Sequence, residues 1–379
     1  MTHKKKVIIL VAGGTGGHLF PAEALSVELR QRGYDVHLVT DERAKYFVRH
    51  FDKKHIHIIS SATLTRYHPF ALIKTFWRLL KGICQSWVLF YKLRPVLVGG
   101  FGGYPTFPPV LIAALTKRVT FIHEQNAVMG RANKVLASRV NAIAGGLLSA
   151  NGIYAYKTFL TGNPVREAIL KSAEIPYCPS TEDKPFHFLV FGGSQGASAF
   201  SKIVPEAIAL LDNNIRKCLR IIQQVRGEAM DLVQIYRNMG VEAKVAPFFD
   251  NMAEHIAWSH FIMSRSGAST VCEIAVIGRP ALLIPYPHAL DHDQAENAAM
   301  LAATGAAQII AEKDLNAQIL ASLLTKACRE PDLLKKQALA AKKVGQPHAT
   351  KVLADMAEAL IAGRSLSDIR KELFNENAA

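Results

Sequence analysis

Two glycine-rich turns in this chain have the composition of phosphate-binding loops. Val11-Ala-Gly-Gly-Thr-Gly-Gly17 and Val190-Phe-Gly-Gly-Ser-Gln-Gly196 align at an offset of 179 residues, and each closes an apolar run and opens a helical stretch. Such a turn presents backbone N–H groups at the positive end of a helix dipole, where phosphate can be held without a cationic side chain. Two loops suggest two phosphorylated groups; the plain alternative is that glycine serves only to make a tight turn. His18 ends the first loop. At a helix N-terminus the dipole disfavours imidazolium, which leaves the ring neutral and able to accept a proton, although a cap or solvent contact is the commoner use of such a histidine.

Two more polar stretches, Gly99-Gly-Phe-Gly-Gly-Tyr-Pro105 and His123-Glu-Gln-Asn126, end apolar runs in the same half. With the first loop they should meet at the carboxyl edge of one sheet, the usual ligand edge of an open α/β fold. Glu124 is there either as an acid or base, or as a hydrogen-bond partner of nearby backbone. In the second half, Met263-Ser-Arg-Ser-Gly-Ala-Ser-Thr270 again runs from strand to helix, with Glu273 about one turn inside. Small hydroxyls and free N–H groups suit a diphosphate, and an acid one turn on can accept from both ribose hydroxyls, so the segment points to a nucleotide. His288 and His292 lie four apart, but flanking prolines make a helical metal pair unsuitable and no carboxylates support one. No metal and no cofactor is expected.

The elements that must position these groups are short β-branched runs alternating with helical stretches. One series comprises Val7 to Val11, Val36 to Thr40, Ile56 to Ser60, Val96 to Val98, Val119 to Ile122 and Ala142 to Ala144. A second comprises Phe186 to Phe191, Leu219 to Gln223, Ala243 to Ala246, Phe261 to Met263, Ala281 to Ile284 and Gln308 to Ala311. Strands apolar on both faces and separated by helices predict parallel sheets covered on both sides. The expected fold is α/β, with two doubly wound domains over residues 1–163 and 164–349. Terminal helices follow at 350–379. The five cysteines are scattered, with no zinc-finger or Cys-x-x-Cys spacing, and read as buried small apolar residues.

Across 379 residues, 45 Lys and Arg oppose 31 Asp and Glu, a formal charge of +14. Through residue 163 there are 22 basic and 7 acidic side chains, against 23 and 24 afterwards, so the excess belongs to the first half. Between Leu64 and Arg94, apolar Ile73, Phe76, Trp77 and Leu80 are interleaved with Lys74, Arg78 and Lys81. Aromatics beside cations in a helical stretch suit an anionic membrane surface; the alternative is a core helix with a solvated face. No apolar run reaches the length needed to span a bilayer. Nucleic acid is not expected, since no recognised binding module is present.

Taken in order, Gly13-Gly-Thr-Gly-Gly-His18, Gly102-Gly-Tyr-Pro105, His123-Glu-Gln-Asn126, Gly162-Asn-Pro-Val-Arg166, Gly192-Gly-Ser-Gln-Gly-Ala197 and Arg265-Ser-Gly-Ala268 resemble the motifs of the MurG family of N-acetylglucosaminyltransferases, which act in peptidoglycan synthesis. The resemblance implies a GT-B fold, two Rossmann-like domains facing a cleft, with the C-terminal helix crossing back to the first. It implies inverting transfer of N-acetylglucosamine from UDP-N-acetylglucosamine to the C4 hydroxyl of the N-acetylmuramoyl group of lipid I, giving lipid II. It further implies a peripheral enzyme on the cytoplasmic face of the cell membrane, with other cell-wall synthesis proteins as a further class of partner.

By matching motif, the donor pocket would comprise Thr15, Gly16, Gly17, Asn126, Arg166, Ser194, Gln195, Phe249, Ala268, Ser269, Thr270, Glu273 and Gln294. Glu273 would hold the ribose, Ser194 and the Ser269-Thr270 turn the diphosphate, and the Phe249 backbone the uracil. Gly14, Thr15, Gly16, Gly17, Gly102, Gly103 and Tyr104 would take the acceptor's diphosphate. His18 would be the base, with Glu124 second. Gln223-Gln-Val-Arg226 departs from the family's more usual His-Gln-x-Gly.

Two rival readings stand beside this one. A nucleotide-sugar-binding subunit would bind donor without turnover. An NAD-linked oxidoreductase would use Asp41 on the ribose, but Leu19 stands where the dinucleotide fingerprint needs Gly or Ala.

Overall fold

The computed structural model describes residues 5–42, 44, 51–61, 69–181, 184–193, 198–226, 229–289 and 292–375. Its first unit runs β1 (Val7–Val11), α1 (Gly16–Gln31), β2 (Asp35–Thr40), β3 (Ile56–Ile58), α2 (Pro69–Leu93), β4 (Leu97–Gly100), α3 (Phe107–Leu115), β5 (Val119–Glu124), α4 (Arg131–Leu136), β6 (Ala142–Gly145) and β7 (Thr158–Phe159). The sheet order is β3-β2-β1-β4-β5-β6-β7 and its ladders are parallel. All five residues of β1 are buried, as expected of a central strand with helices on both faces. The two-residue β7 went unforeseen, being too short to carry a periodicity.

The second unit contains α5 (Glu167–Ser172), β8 (Phe186–Phe191), α6 (Ser198–Ala209), α7 (Asn213–Cys218), β9 (Leu219–Gln224), α8 (Ala229–Asn238), β10 (Glu242–Ala246), α9 (Met252–Trp258), β11 (Phe261–Ser264), α10 (Ala268–Ile277), β12 (Ala281–Leu283), α11 (Asp293–Ala302), β13 (Ala307–Ile309), α12 (Ala317–Arg329) and α13 (Pro331–Val344). Its sheet runs β10-β9-β8-β11-β12-β13, again parallel. Both sheets reverse their winding direction beside the first strand, between β1 and β4 and between β8 and β11. In open α/β sheets that switch point opens the crevice used by ligands.

The chain divides into residues 1–166 with 347–379, and 167–346. The first division falls three residues beyond the expected 163, because Asn163 to Arg166 pack on the first unit. Val165 is buried there, a Cβ on Gly146 would lie 3.1 Å from Asn163 Cβ, and the Arg166 guanidinium stacks 4.2 Å from the Phe20 ring centroid. The terminal helices α14 (Ala349–Ile361) and α15 (Leu366–Asn375) also belong to it. Leu353, Met356 and Leu360 join Ile8, Leu10, Leu25 and Leu29 in one core. Arg32 reinforces this contact by pairing with Asp355 at 2.5 Å and Glu358 at 2.6 Å, as well as with Glu28 on its own helix.

The cysteines depart from expectation. All five are free thiols, Cys84 and Cys178 are exposed, and Cys218, Cys272 and Cys328 are half-buried. Cys84 shares the outer face of α2 and Cys178 lies in the irregular segment before β8, neither of which faces a core. Along α2, Ile73, Phe76, Trp77, Leu80, Trp87, Val88 and Tyr91 are exposed, and their positions recur on one side of the helix. Its opposite face is tight: a Cβ on Gly82 would come within 2.2 Å of the Ser60 carbonyl oxygen, and Ser86 and Phe90 are buried.

Candidate active site

At the carboxyl edge of the first sheet, the turn after β1 becomes the N-terminus of α1. Thr15 occupies the N-cap with extended backbone and makes no side-chain cap, so both its hydroxyl and the first helical N–H groups remain for other partners. Gly14 has φ +73°, the left-handed conformation that this sharp turn requires. Glycine at 17 has no such cause, since an added Cβ would meet nothing nearer than Thr15 Oγ1 at 3.8 Å.

Three segments converge on this edge. Gly13 packs against the Pro105 ring, and Gly103, at φ +79°, lies against the Gly13 backbone. Gly102 (φ +90°) faces His18: a Cβ there would stand 3.1 Å from His18 Cε1. Thr106 donates to the Gly102 carbonyl at 2.6 Å and so anchors the turn that carries Tyr104. His18 then meets the segment after β5, where its Nδ1 lies 3.0 Å from Gln125 Oε1.

That contact has a direction set by groups whose roles cannot reverse. Gln125 Nε2 lies 3.0 Å from the Phe101 carbonyl, which can only accept, so the amide nitrogen points that way. The same nitrogen meets His123 Nδ1 at 3.1 Å, making Nδ1 an acceptor. His123 Nε2 therefore carries the ring proton and donates to the Gly162 carbonyl at 3.0 Å. Full burial, with a smaller effect of His18, depresses the His123 imidazolium to about 4 and keeps this ring neutral. With the amide so oriented, Gln125 Oε1 accepts from His18 Nδ1–H. In its neutral form His18 then bears an unprotonated Nε2.

Glu124 is deployed differently. Its carboxylate is 1% exposed and accepts from the Asn126 backbone N–H (3.1 Å), Asn126 Nδ2 (3.1 Å), the Gly130 N–H (2.9 Å) and Asn133 Nδ2 (2.8 Å). Four donors on two oxygens hold the 124–133 segment in place and leave no lone pair prominently available for proton transfer.

In the second unit the turn after β11 enters α10 with Gly267 as an extended N-cap and no side-chain cap. A Cβ on Gly267 would meet nothing within 4 Å. Ala268, Ser269 and Thr270 form the first turn; Ser269 Oγ has no hydrogen-bond partner. Glu273 lies one turn on and is buried. Gln294 accepts from the Tyr286 N–H at 3.0 Å, and its carbonyl takes the Ser266 hydroxyl at 2.7 Å, so it ties two edge loops together. Phe249 is buried edge-on to His255. Ser194 and Gln195 lie outside the described residues.

Some contributors were not legible as such. Arg265 is buried beneath the turn, bonded to the Ile284 and Pro285 carbonyls and to Glu312, with its guanidinium between the rings of Phe200 and Tyr286. Gln223, at the departure from the family pattern, turns into the core and bonds Tyr236, while Gln224 accepts from the Gly192 N–H and donates to the Pro247 carbonyl. Only long-range packing reveals these roles, which residue type does not signal.

Residues 8–145 match the glycosyltransferase family 28 N-terminal domain and residues 187–353 the corresponding C-terminal domain. A Bartonella bacilliformis relative named UDP-N-acetylglucosamine--N-acetylmuramyl-(pentapeptide) pyrophosphoryl-undecaprenol N-acetylglucosamine transferase is 79% identical over 373 residues, 98% of this chain and 99% of its own. This chain belongs to the MurG family. A Brucella suis protein of the same name is 56% identical over 96% of this chain and 97% of its own. The crystal structure of MurG from Acinetobacter baumannii aligns with TM-score 0.74 at 28% identity, covering 94% of this chain and 99% of that one. The calicheamicin glycosyltransferase CalG4 shares the fold, with TM-score 0.66 at 13% identity over 95% of this chain and 99% of its own. The fold is accordingly GT-B, built of two Rossmann-like domains.

Proposed function

We propose that this MurG-family chain transfers N-acetylglucosamine from UDP-N-acetylglucosamine to the C4 hydroxyl of the N-acetylmuramoyl group of lipid I, releasing UDP and forming lipid II. Family membership supplies the reaction, and the observation that carries its chemistry is the Gln125-directed His18, whose Nε2 is left to accept a proton. The acceptor hydroxyl gives its proton to this nitrogen as its oxygen attacks the sugar's C1 on the face opposite UDP. The C1–O bond breaks, its electron pair goes to the diphosphate, and the anomeric configuration inverts.

The N-terminus of α10, with Ala268, Ser269 and Thr270, is suited to the charge that develops on UDP. Glu273 binds the ribose hydroxyls, the Phe249 backbone the uracil, and Asn126, Arg166 and Gln294 orient the donor sugar and its phosphates. Gly14 to Gly17 and Gly102 to Tyr104 take the acceptor's diphosphate. Glu124 is assigned to holding its segment rather than to proton transfer, because its oxygens already accept four hydrogen bonds.

Among the described residues no helix is long and apolar enough to cross a membrane. The exposed stripe of α2, with Ile73, Phe76, Trp77 and Leu80 beside exposed Lys74, Arg78 and Lys81, suits peripheral attachment to an anionic cytoplasmic leaflet, where the polyprenyl diphosphate acceptor resides. Release of UDP from UDP-N-acetylglucosamine on addition of a lipid I analogue, compared with UDP-glucose and UDP-N-acetylgalactosamine, tests the reaction. No release despite intact donor binding would refute it. A His18→Ala protein that binds donor and still turns over normally would remove His18 as base.

A further inference from the structure

At the amino edge of the first sheet, opposite the glycine-rich turns, Asp35-x-His37 on β2 meets His55-x-His57 at the start of β3. The parallel register that pairs Leu38 with Ile56 sets His37 beside His55, and the alternation along a strand puts Asp35 on the same face as His37. Asp35 Oδ1 lies 3.1 Å from His55 Nε2 and Oδ2 lies 3.4 Å from His37 Nε2. The ligating atoms of the three residues all lie within 4.8 Å of one another. Donor-to-donor spacings of about 3.3 Å follow from tetrahedral geometry at the usual zinc–nitrogen and zinc–oxygen bond lengths near 2.0–2.1 Å, so small side-chain adjustments suffice.

We propose that Asp35, His37 and His55 form a binding site for a divalent transition metal of borderline softness, Zn²⁺ in the first instance, with water as fourth ligand. The surroundings suit this in two ways. His37 Nδ1 lies 2.9 Å from His57 Nε2, so His37 can donate from Nδ1 and keep its Nε2 lone pair for the metal, the outer partner that ligating histidines usually have. His55 Nδ1 is buried without a hydrogen-bond partner and lies 3.9 Å from Asp52 Oδ2, a carboxylate within reach of a small ring rotation.

Arg30 and Lys54 are nearby cations, but the Arg30 guanidinium donates to the Val36 carbonyl at 2.9 Å and stacks on Phe51, and Lys54 pairs with Asp52 Oδ2 at 3.1 Å, so neither neutralises the Asp35 carboxylate by direct pairing. The metal would clip the start of β3, an edge strand, to β2. The donor set of two imidazoles and one carboxylate favours zinc, nickel or cobalt over calcium or magnesium, which prefer all-oxygen shells.

The test uses the full chain and the metal alone. Zn²⁺ titration against a chromophoric chelator should give one equivalent bound more tightly than about 10 µM, and Co²⁺ in its place should show the intense visible absorption of a four-coordinate site. His55→Ala, at a partly exposed position, and the isosteric Asp35→Asn should each weaken binding by well over about 100-fold, beyond the 10- to 100-fold typical of an outer-shell change such as His57→Gln. A His288→Ala/His292→Ala protein controls for the two histidines that lie four apart in the second half of the sequence and should bind as the parent does. Circular dichroism establishes that each variant is folded. Absence of stoichiometric binding by the parent, or equal binding by parent, His55→Ala and Asp35→Asn, overturns the proposal.

Discussion

Gln125 touches neither substrate in the proposed mechanism, yet its replacement should slow the reaction. Its Oε1 fixes the proton of His18 on Nδ1, and its own orientation is fixed by the Phe101 carbonyl and by neutral His123. In Gln125→Leu, a change of similar volume, His18 Nδ1 loses its acceptor, and neither ring orientation nor tautomer is specified. A buried hydrogen-bonding group left unmatched costs about 1–3 kcal/mol, so kcat should fall roughly 10- to 100-fold. KM for UDP-N-acetylglucosamine should stay within about twofold, because the lost contact acts on proton transfer rather than donor binding. Gln125→Glu gives a second readout. A carboxylate at the same 3.0 Å favours imidazolium over imidazole, so the acidic limb of the kcat profile should move to higher pH. UDP release measured with a lipid I analogue, with donor affinity and melting temperature measured in parallel, reports all of these. If a folded Gln125→Leu protein has near-parental kcat and an unshifted pH profile, the relay is not operating.

Three further outcomes follow from the same geometry. His123 has its folded pKa depressed to about 4 from 6.5, so it costs nothing above pH 6.5; below that the unfolded chain takes up a proton that the folded one resists, and stability falls by up to roughly 3 kcal/mol by pH 4, a decline that melting curves should show to be shallower in His123→Asn. Neutralising Lys74, Arg78 and Lys81 should cost about 1 kcal/mol of vesicle affinity each on anionic bilayers, in a salt-dependent manner, with UDP-N-acetylglucosamine affinity unchanged; co-sedimentation indifferent to salt and lipid charge would contradict the electrostatic part. Gly278 caps α10 at φ +78°, and a Cβ there would lie 2.9 Å from Lys342 Cβ, so Gly278→Ala should lower stability by about 1–3 kcal/mol, measurable as a drop in denaturation midpoint.

The resemblance to the MurG family needed no coordinates, because its six motifs are local and ordered along the chain. The parallel strands were also visible, since burial on both faces forces a continuous apolar run, as in Val7 to Val11 and Phe186 to Phe191. The two-residue β7 and the packing of Asn163 to Arg166 carry no such local mark. Nor did residue type show that Cys84 and Cys178 are exposed while Cys328 packs against the core, because exposure depends on which face finds a partner.

At the candidate site, the types and spacing of His18, Glu124 and the glycines were enough to nominate a base and a phosphate loop. They left open which of the two titratable groups takes the proton, because both belong to segments at the ends of strands of one sheet, β1 and β5, which flank β4. The tertiary structure distinguishes their surroundings: Gln125, 107 residues further along the chain, orients His18, while backbone and amide donors from the next nine residues surround Glu124. A sequence specifies which groups are available, whereas the direction of a hydrogen bond is set only when the donors and acceptors of separate strands are brought within 3 Å of one another.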